Sequence, residues 1–415
     1  MPVITYKISK TAYLPERYNR FVSLKLQPNS LAESSFANPS AYRIKRDIDN
    51  DYTIDYTAGQ NRKEADIVSE PIKAVGMLSG GLDSTLAAHI MKKMGVEIQG
   101  VNFSTGFCIT DHHRKMNRSD EPVQKMQNEA LRLGADLEIP LEIIDISTEY
   151  WDILLNPKHG YGANMNPCID CRIMMFSKAK LFMEEIGAHF IFSGEVMGQR
   201  PKSQRKPTLS VIAEQAGLEG YLLRPLSAKL LPETIPEQLG WINRDELYGI
   251  SGRSRVKQLD LVDEFDVGYY PQPAGGCCTL TDESYSEKLM DMLRDNNNTP
   301  LTPEDVILLK VGRHFRPKPG VKAIIARDEQ ESRFLSGFKF GRTLLETENY
   351  GGPTTLITGD LTKELISDIA RITARYGQGR DSDKVSIKCI SNGDSSNIEV
   401  IPFAKDEKLI KEWRV

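Results

Sequence analysis

The chain has 415 residues, 40% hydrophobic and 27% charged, with a formal net charge of −4. That length suits two or three globular domains, and the absence of any apolar run of about 18 residues excludes a membrane-spanning helix. The small net charge excludes a global pull on nucleic acid, so any RNA contact must come from a local basic patch.

The N-terminus, Met1-Pro2-Val3-Ile4-Thr5-Tyr6-Lys7, lacks a basic segment followed by an apolar stretch, so a cytoplasmic protein with no membrane partner is expected. Residues 1–70 are polar, with short alternations such as Phe21 to Leu26, and suit a small strand-rich lobe or an extension. A new pattern starts at Ile72. Ala74 to Leu78 is a short apolar run of the kind a buried parallel strand carries. A glycine turn follows, then a helix over 84–93 with Leu86, Ala87, Ile90 and Met91 on one face and Gly95 past its end. Strands follow at 96–103, 141–146 and 190–192, alternating with helices at 123–133 and 173–186. This alternation predicts βαβ units: an α/β fold, a Rossmann-like parallel sheet with helices on both faces. Ligands of such sheets bind beyond the carboxyl ends of the strands. From Pro232 to Asn297 the pattern is helical and less regular, and Asn296 to Pro300 reads as a boundary. Residues 301–415 mix strands at 321–326, 355–357 and 384–389 with a helix at 362–376, which predicts a small α+β domain. The expected domains are 1–70, 71–298 and 301–415.

Ser79-Gly80-Gly81-Leu82-Asp83-Ser84 lies between the first strand and the first helix. Paired glycines let backbone N–H groups approach an anion with no Cβ in the way, and the helix N-terminus adds its dipole. Ser79 and Ser84 are hydroxyl donors for phosphate. Asp83 suits either a helix cap or a Mg²⁺ ion beside the phosphates. The spacing is neither GxxxxGK[ST] nor GxGxxG, which argues against γ-phosphate transfer and dinucleotide binding. The segment resembles the SGGxDS loop of the PP-loop ATP pyrophosphatase superfamily. The resemblance implies ATP cleavage between the α- and β-phosphates, an adenylated substrate, and AMP as leaving group.

The six cysteines are too few for a disulfide scaffold. Cys168 and Cys171 form a CxxC pair near a helix start, where thiol pKa values fall, and Cys277 and Cys278 follow a distant Gly-Gly pair. Such thiols suit metal ligation or sulfur relay. Asn166-Pro167-Cys168 with Cys171 resembles the NPCxxC segment of tRNA 2-thiouridine synthetases, although Arg172 stands where those enzymes usually carry Asn. The three-cysteine layout is also similar to thiolation enzymes that hold a [4Fe-4S] cluster. Three readings stay open: the cluster on Cys168, Cys171 and Cys277 or Cys278, which is preferred; a metal-free persulfide relay; and zinc on all four thiols, which adjacent cysteines make difficult. Cys108 is expected to be a buried, inert thiol and Cys389 a core residue.

After the strand at 190–192 comes Ser193-Gly194-Glu195-Val196-Met197-Gly198-Gln199-Arg200, with four cations between Arg200 and Lys206 suited to pyrophosphate or an RNA backbone. This loop, with Arg224-Pro225-Leu226, resembles the second loop of tRNA 4-thiouridine synthetases, and implies that Gly194, Gln199 and Arg200 join the nucleotide site. Residues 1–70 are too short for the N-terminal RNA-binding pair of that enzyme. Leu309 to Arg316 and Ile324 to Leu335 resemble the RNA-binding module of NFACT proteins, with Ala326 in place of its glycine and Ser332 in place of its asparagine. Arg313, Arg316, Lys318, Lys322, Arg327 and Arg333 are the candidate stripe, in a region with 19 Lys/Arg against 17 Asp/Glu.

The expected function is that of an ATP-dependent tRNA sulfurtransferase that adenylates a base carbonyl and replaces its oxygen with sulfur. Its catalytic residues would be Asp83, Cys168, Cys171 and Cys277, with ATP and Mg²⁺ as cofactors besides the cluster. Its partners would be tRNA and a sulfide or persulfide donor; a homodimer stays open. The alternatives are a PP-loop ligase or sulfur-insertion enzyme for a small molecule, and a non-enzymatic RNA-binding protein with a relict nucleotide fold.

Overall fold

A computed structural model describes residues 71–108, 128–271, 278–391 and 393–415, with two strands nearer the N-terminus. The chain separates into two compact units, Met1–Glu70 and Pro71–Val415. In the first unit, β1 (Tyr42–Arg46) and β2 (Tyr52–Tyr56) pair antiparallel, Ile44 opposite Ile54. The alternation at Phe21 to Leu26 lies outside the described residues.

The second unit opens with β3 (Lys73–Met77), α1 (Leu82–Lys93), β4 (Glu97–Ser104), α2 (Glu129–Asp136), β5 (Leu141–Asp145) and α3 (Ser147–Leu155). It continues with α4 (Cys168–Glu185), β6 (Phe190–Ser193), α5 (Lys206–Gln215), β7 (Leu222–Leu223), α6 (Ile235–Gln238) and α7 (Val256–Glu264). The five strands form one parallel sheet in the order β5-β4-β3-β6-β7. The expected α/β architecture is therefore present. Successive strand residues face opposite sides. Ala74 packs with Leu86, Ile90 and Met91 of α1, while its neighbour Val75 packs with Phe176, Ala179 and Met183 of α4. Both faces being covered explains why β3 and β6 read as continuous apolar runs.

The chain winds outward from β3 through β4 to β5, then crosses to β6 on the other side of β3. The order reverses between β3 and β6, so the loops following these two strands flank a topological switch point. Two helices start earlier than the periodicity predicts: α1 at Leu82 and α4 at Cys168. For α4 the reason is local. Asp170 lies in its first turn, where a carboxylate complements the helix dipole.

Beyond α7 come α8 (Glu283–Asp295) and α9 (Pro303–Leu308). They close a third core, in which Leu289 and Leu293 of α8 meet Phe107, Tyr150, Leu154, Met165 and Cys278. A six-stranded antiparallel sheet follows, in the order β13-β12-β10-β11-β9-β8. Its strands are β8 (Arg313–Lys318), β9 (Val321–Ile325), β10 (Thr343–Thr347), β11 (Thr355–Thr358), β12 (Val385–Ser391) and β13 (Asp394–Val400). Helices α10 (Glu329–Ser336), α11 (Lys363–Arg375) and α12 (Lys408–Trp413) complete it. The sequence reading missed β8, β10 and β13, of which β8 and β13 are the two edge strands. The edge segments, RHFRPK and DSSNIEV, carry little apolar alternation because edges have less to bury. Among the described residues no helix is long and apolar enough to cross a membrane.

Candidate active site

The loop after β3 turns tightly at Gly80, whose φ is +75°. A Cβ there would stand 2.2 Å from the carbonyl carbon of Glu129, so glycine is required by both conformation and space. The hydroxyls close on one another: Ser79 Oγ lies 3.2 Å from Ser84 Oγ and accepts from the Gly81 N–H at 3.3 Å, while Ser84 Oγ donates to Gly81 O at 2.8 Å. Gly81 is the N-cap of α1, and no side chain caps it. The capping role considered for Asp83 is thereby corrected. Asp83 sits in the first turn, and its carboxylate is held from two other elements: Gln199 Nε2 donates to Oδ2 at 3.1 Å and Gln258 Nε2 to Oδ1 at 3.4 Å.

The loop after β6 lies directly on this one. A Cβ at Gly194 would stand 2.4 Å from the Asp83 carbonyl carbon and the Ser84 nitrogen. Gln199 completes the contact through its amide. Arg200 is half-buried with its backbone N–H bonded to Gln204 Oε1 at 3.0 Å, and its guanidinium has no hydrogen bond or ion pair among the described residues. The other expected cations divide. Lys202 donates to the carbonyls of Gly160 and Tyr161, and Lys206 to Leu230 O. Arg205 stays exposed.

Glu195, 3% exposed, anchors the second loop. Arg224, 5% exposed, donates from Nε to Glu195 Oε2 at 2.9 Å, and Arg172 Nε stands 3.6 Å from Oε1. Arg172, partly exposed, belongs to α4, so these two ion pairs tie the cysteine helix to the second loop. Ion pairing gives Arg172 a role that an Asn at that position would not have.

Cys168 and Cys171 occupy the first turn of α4, three residues apart and therefore on one face. Both are half-buried. Asp170 between them is buried and holds the preceding loop, accepting from His159 N at 3.0 Å and meeting His159 Nδ1 at 2.9 Å. Cys278 is 7% exposed, in the core against which Cys171 packs. Cys108 departs from expectation: it is half-buried, and its backbone forms an antiparallel bridge with Cys278. Phe107 O accepts from Thr279 N at 2.9 Å and fixes that pairing. Cys277 lies outside the described residues. Among the described residues no three His, Cys, Asp or Glu side chains gather closely enough to hold a metal ion. Cys389 is in the C-terminal core as expected, and burial pushes its thiol pKa up.

The basic stripe is corrected in part. Lys322 is buried and bonded to Asp291, and Arg316 is held by Asp291 at 2.8 Å and Asp295 at 2.5 Å. Arg313 stacks over Tyr376. Lys318 and Arg333 remain exposed and Arg327 half-exposed. The sequence reading also missed Gln258. It shares the buried stripe of α7 with Leu261, Val262 and Phe265, and a polar residue on an apolar face was the available signal.

Residues 72–251 match the family model described as tRNA methyl transferase HUP domain, and residues 312–414 match NFACT protein RNA binding domain. The chain is 26% identical to the "tRNA-specific 2-thiouridylase MnmA 2" of Thermoanaerobacter sp. (strain X514), over 54% of this chain and 59% of that protein. It is 34% identical to a "Probable tRNA sulfurtransferase" of Lysinibacillus sphaericus (strain C3-41), over 40% and 38%. It thus spans under two thirds of each relative's length. A solved 4-thiouridine synthetase–RNA complex with bound ATP aligns at 22% identity with a TM-score of 0.27, covering 47% of this chain and 51% of that one. The expected resemblances stand: one region is similar to HUP domains of tRNA thiolation enzymes, and another to the NFACT RNA-binding domain.

Proposed function

We propose that the protein is an ATP-dependent tRNA sulfurtransferase. The observation that carries this reading is the contact of two loops at the switch point, Gly194 against Asp83 and Ser84, with the ion pairs of the buried Glu195 tying the second loop to the CxxC helix. The glycine loop would bind ATP at its N–H groups and at the N-terminus of α1, with Mg²⁺ beside Asp83. A base carbonyl oxygen attacks the α-phosphorus and pyrophosphate leaves. A sulfur nucleophile then attacks the activated carbon and AMP leaves.

Cys168, Cys171 and Cys278 are the described thiols that would supply that sulfur. In the persulfide form the terminal sulfur displaces AMP, and a second thiol cleaves the S–S bond. Sulfur stays on the base, and an external thiol must reduce the resulting protein disulfide. A [4Fe-4S] cluster would use the same thiols with Cys277 or Cys278. The described residues do not assemble a metal site, so no step is routed through one. The target base must leave its stack to be reached. Residues 301–415 form the proposed RNA-holding part and 71–298 the catalytic part, with cytoplasmic tRNA and a persulfide carrier as partners.

The test is incubation with ATP and unmodified tRNA. Pyrophosphate release that requires tRNA, with a sulfur-bearing nucleoside in the digest, supports the reading. Release supported by a small acceptor and indifferent to deletion of 301–415 would replace it with a small-molecule ligase. Anaerobic iron and acid-labile sulfide analysis separates cluster from relay.

A further inference from the structure

We propose that Gln258 is a positioning residue for the nucleotide-bound cation: with Gln199, it clamps the Asp83 carboxylate in one orientation toward that ion. The inference rests on the reading that this loop binds Mg²⁺–ATP. Three separate elements meet at one carboxylate. Asp83 lies in α1, Gln199 in the loop after β6 and Gln258 in α7. Each amide takes a different oxygen, at 3.1 Å and 3.4 Å. A carboxylate only accepts, so each amide must present its NH₂ and turn its carbonyl away.

For Gln258 that choice carries a penalty. The side chain is wholly buried, and its Oε1 has no hydrogen-bond partner among the described residues. A buried acceptor without a donor is destabilising, and an apolar side chain of similar shape would remove the penalty. Retaining Gln in this apolar stripe is therefore poorly explained by packing. It is explained by a task at Asp83, whose Oδ1 takes a donor from this amide. Magnesium is usually bound through one or two carboxylates and substrate phosphates. No group of three His, Cys, Asp or Glu side chains surrounds this point among the described residues. The ion would depend on Asp83 and the phosphates, which makes the orientation of that carboxylate decisive.

The experiment is calorimetric titration of the full chain with the α,β-methylene analogue of ATP, with magnesium and with EDTA, alongside apo melting temperature. Wild type is expected to bind more tightly with magnesium. Gln258→Leu is expected to lose about tenfold of that magnesium-linked gain. Its affinity in EDTA and its melting temperature should not fall. Gln258→Met provides a second apolar shape should the leucine variant fold poorly, and Gln199→Leu should lose part of the same gain. An undiminished magnesium-linked gain in the apolar variants would overturn the assignment while leaving the nucleotide reading intact. Failure of wild type to bind the analogue would overturn both.

Discussion

Arg224 and Glu195 form an ion pair at 2.9 Å with both side chains almost wholly buried. Arg172 reaches the second carboxylate oxygen from the CxxC helix. Removing one member of a buried pair strands the other charge, so Glu195→Ala should destabilise the chain by about 3–5 kcal/mol. Arg172→Ala, at a partly exposed position, should cost much less. Urea denaturation of the two variants gives the ratio, and equal small losses would contradict the burial argument.

At the switch point, Gly194 leaves no room for a methyl group beside the Asp83 backbone. Gly194→Ala should push the two loops apart and weaken binding of the ATP analogue by about tenfold or more, while circular dichroism stays native. Gly268, with open space around it and no left-handed φ, is a control for glycine substitution outside the site.

The junction of α8 with β8 and β9 should be sensitive to alkali. Burial lowers the pKa of Lys288 and of Lys322 to about 8, from an ordinary value of 10.5. Between these values the unfolded chain binds protons that the folded chain does not, so stability rises with pH from about 8. The penalty is fully present below pH 8. Above pH 10 Tyr285, pushed up by burial, acts in the opposite sense. Melting temperature should climb between pH 8 and 10, and Lys288→Met should flatten the climb by on the order of 1–3 kcal/mol.

Exposure ranks the thiols. Cys168 and Cys171 are half-buried, whereas Cys389 is buried with a raised pKa. Limited alkylation followed by peptide mapping should label the first two well ahead of Cys389. Cys168→Ala and Cys171→Ala should abolish sulfur transfer and preserve pyrophosphate release, whereas Cys389→Ala should cost only about 1 kcal/mol of stability.

Cations of the C-terminal sheet should separate into two kinds. Lys318→Ala, at an exposed position, should weaken RNA binding and reduce the salt slope by about one. Arg316→Ala should chiefly destabilise the chain, because Asp291 and Asp295 already hold that guanidinium. Filter binding at several salt concentrations, with melting curves, distinguishes them.

Much of the parallel-sheet region was legible because its signals are local. Apolar runs at Ala74 to Leu78 and Phe190 to Phe192 mark strands buried on both faces, and the Gly80–Gly81 turn sits between strand and helix. Less was legible where partners are distant. Nothing near Gln258 in the chain points to Asp83, and Cys108 reads as an ordinary buried thiol until its strand end pairs with Cys278. Arg316 and Lys322 resemble RNA contacts until α8 brings Asp291 to them.

By itself, then, the sequence determined the parallel sheet, the paired-glycine turn and the spacing of Cys168 and Cys171, because strand pleat, glycine conformation and helical pitch act over a few residues. Only the tertiary structure decided which amides grip Asp83, which cysteine backbones pair and which cations Asp291 and Asp295 hold. Those depend on residues separated by up to 175 positions, such as Asp83 and Gln258, and burial fixes them by forcing buried charges and amides to find partners.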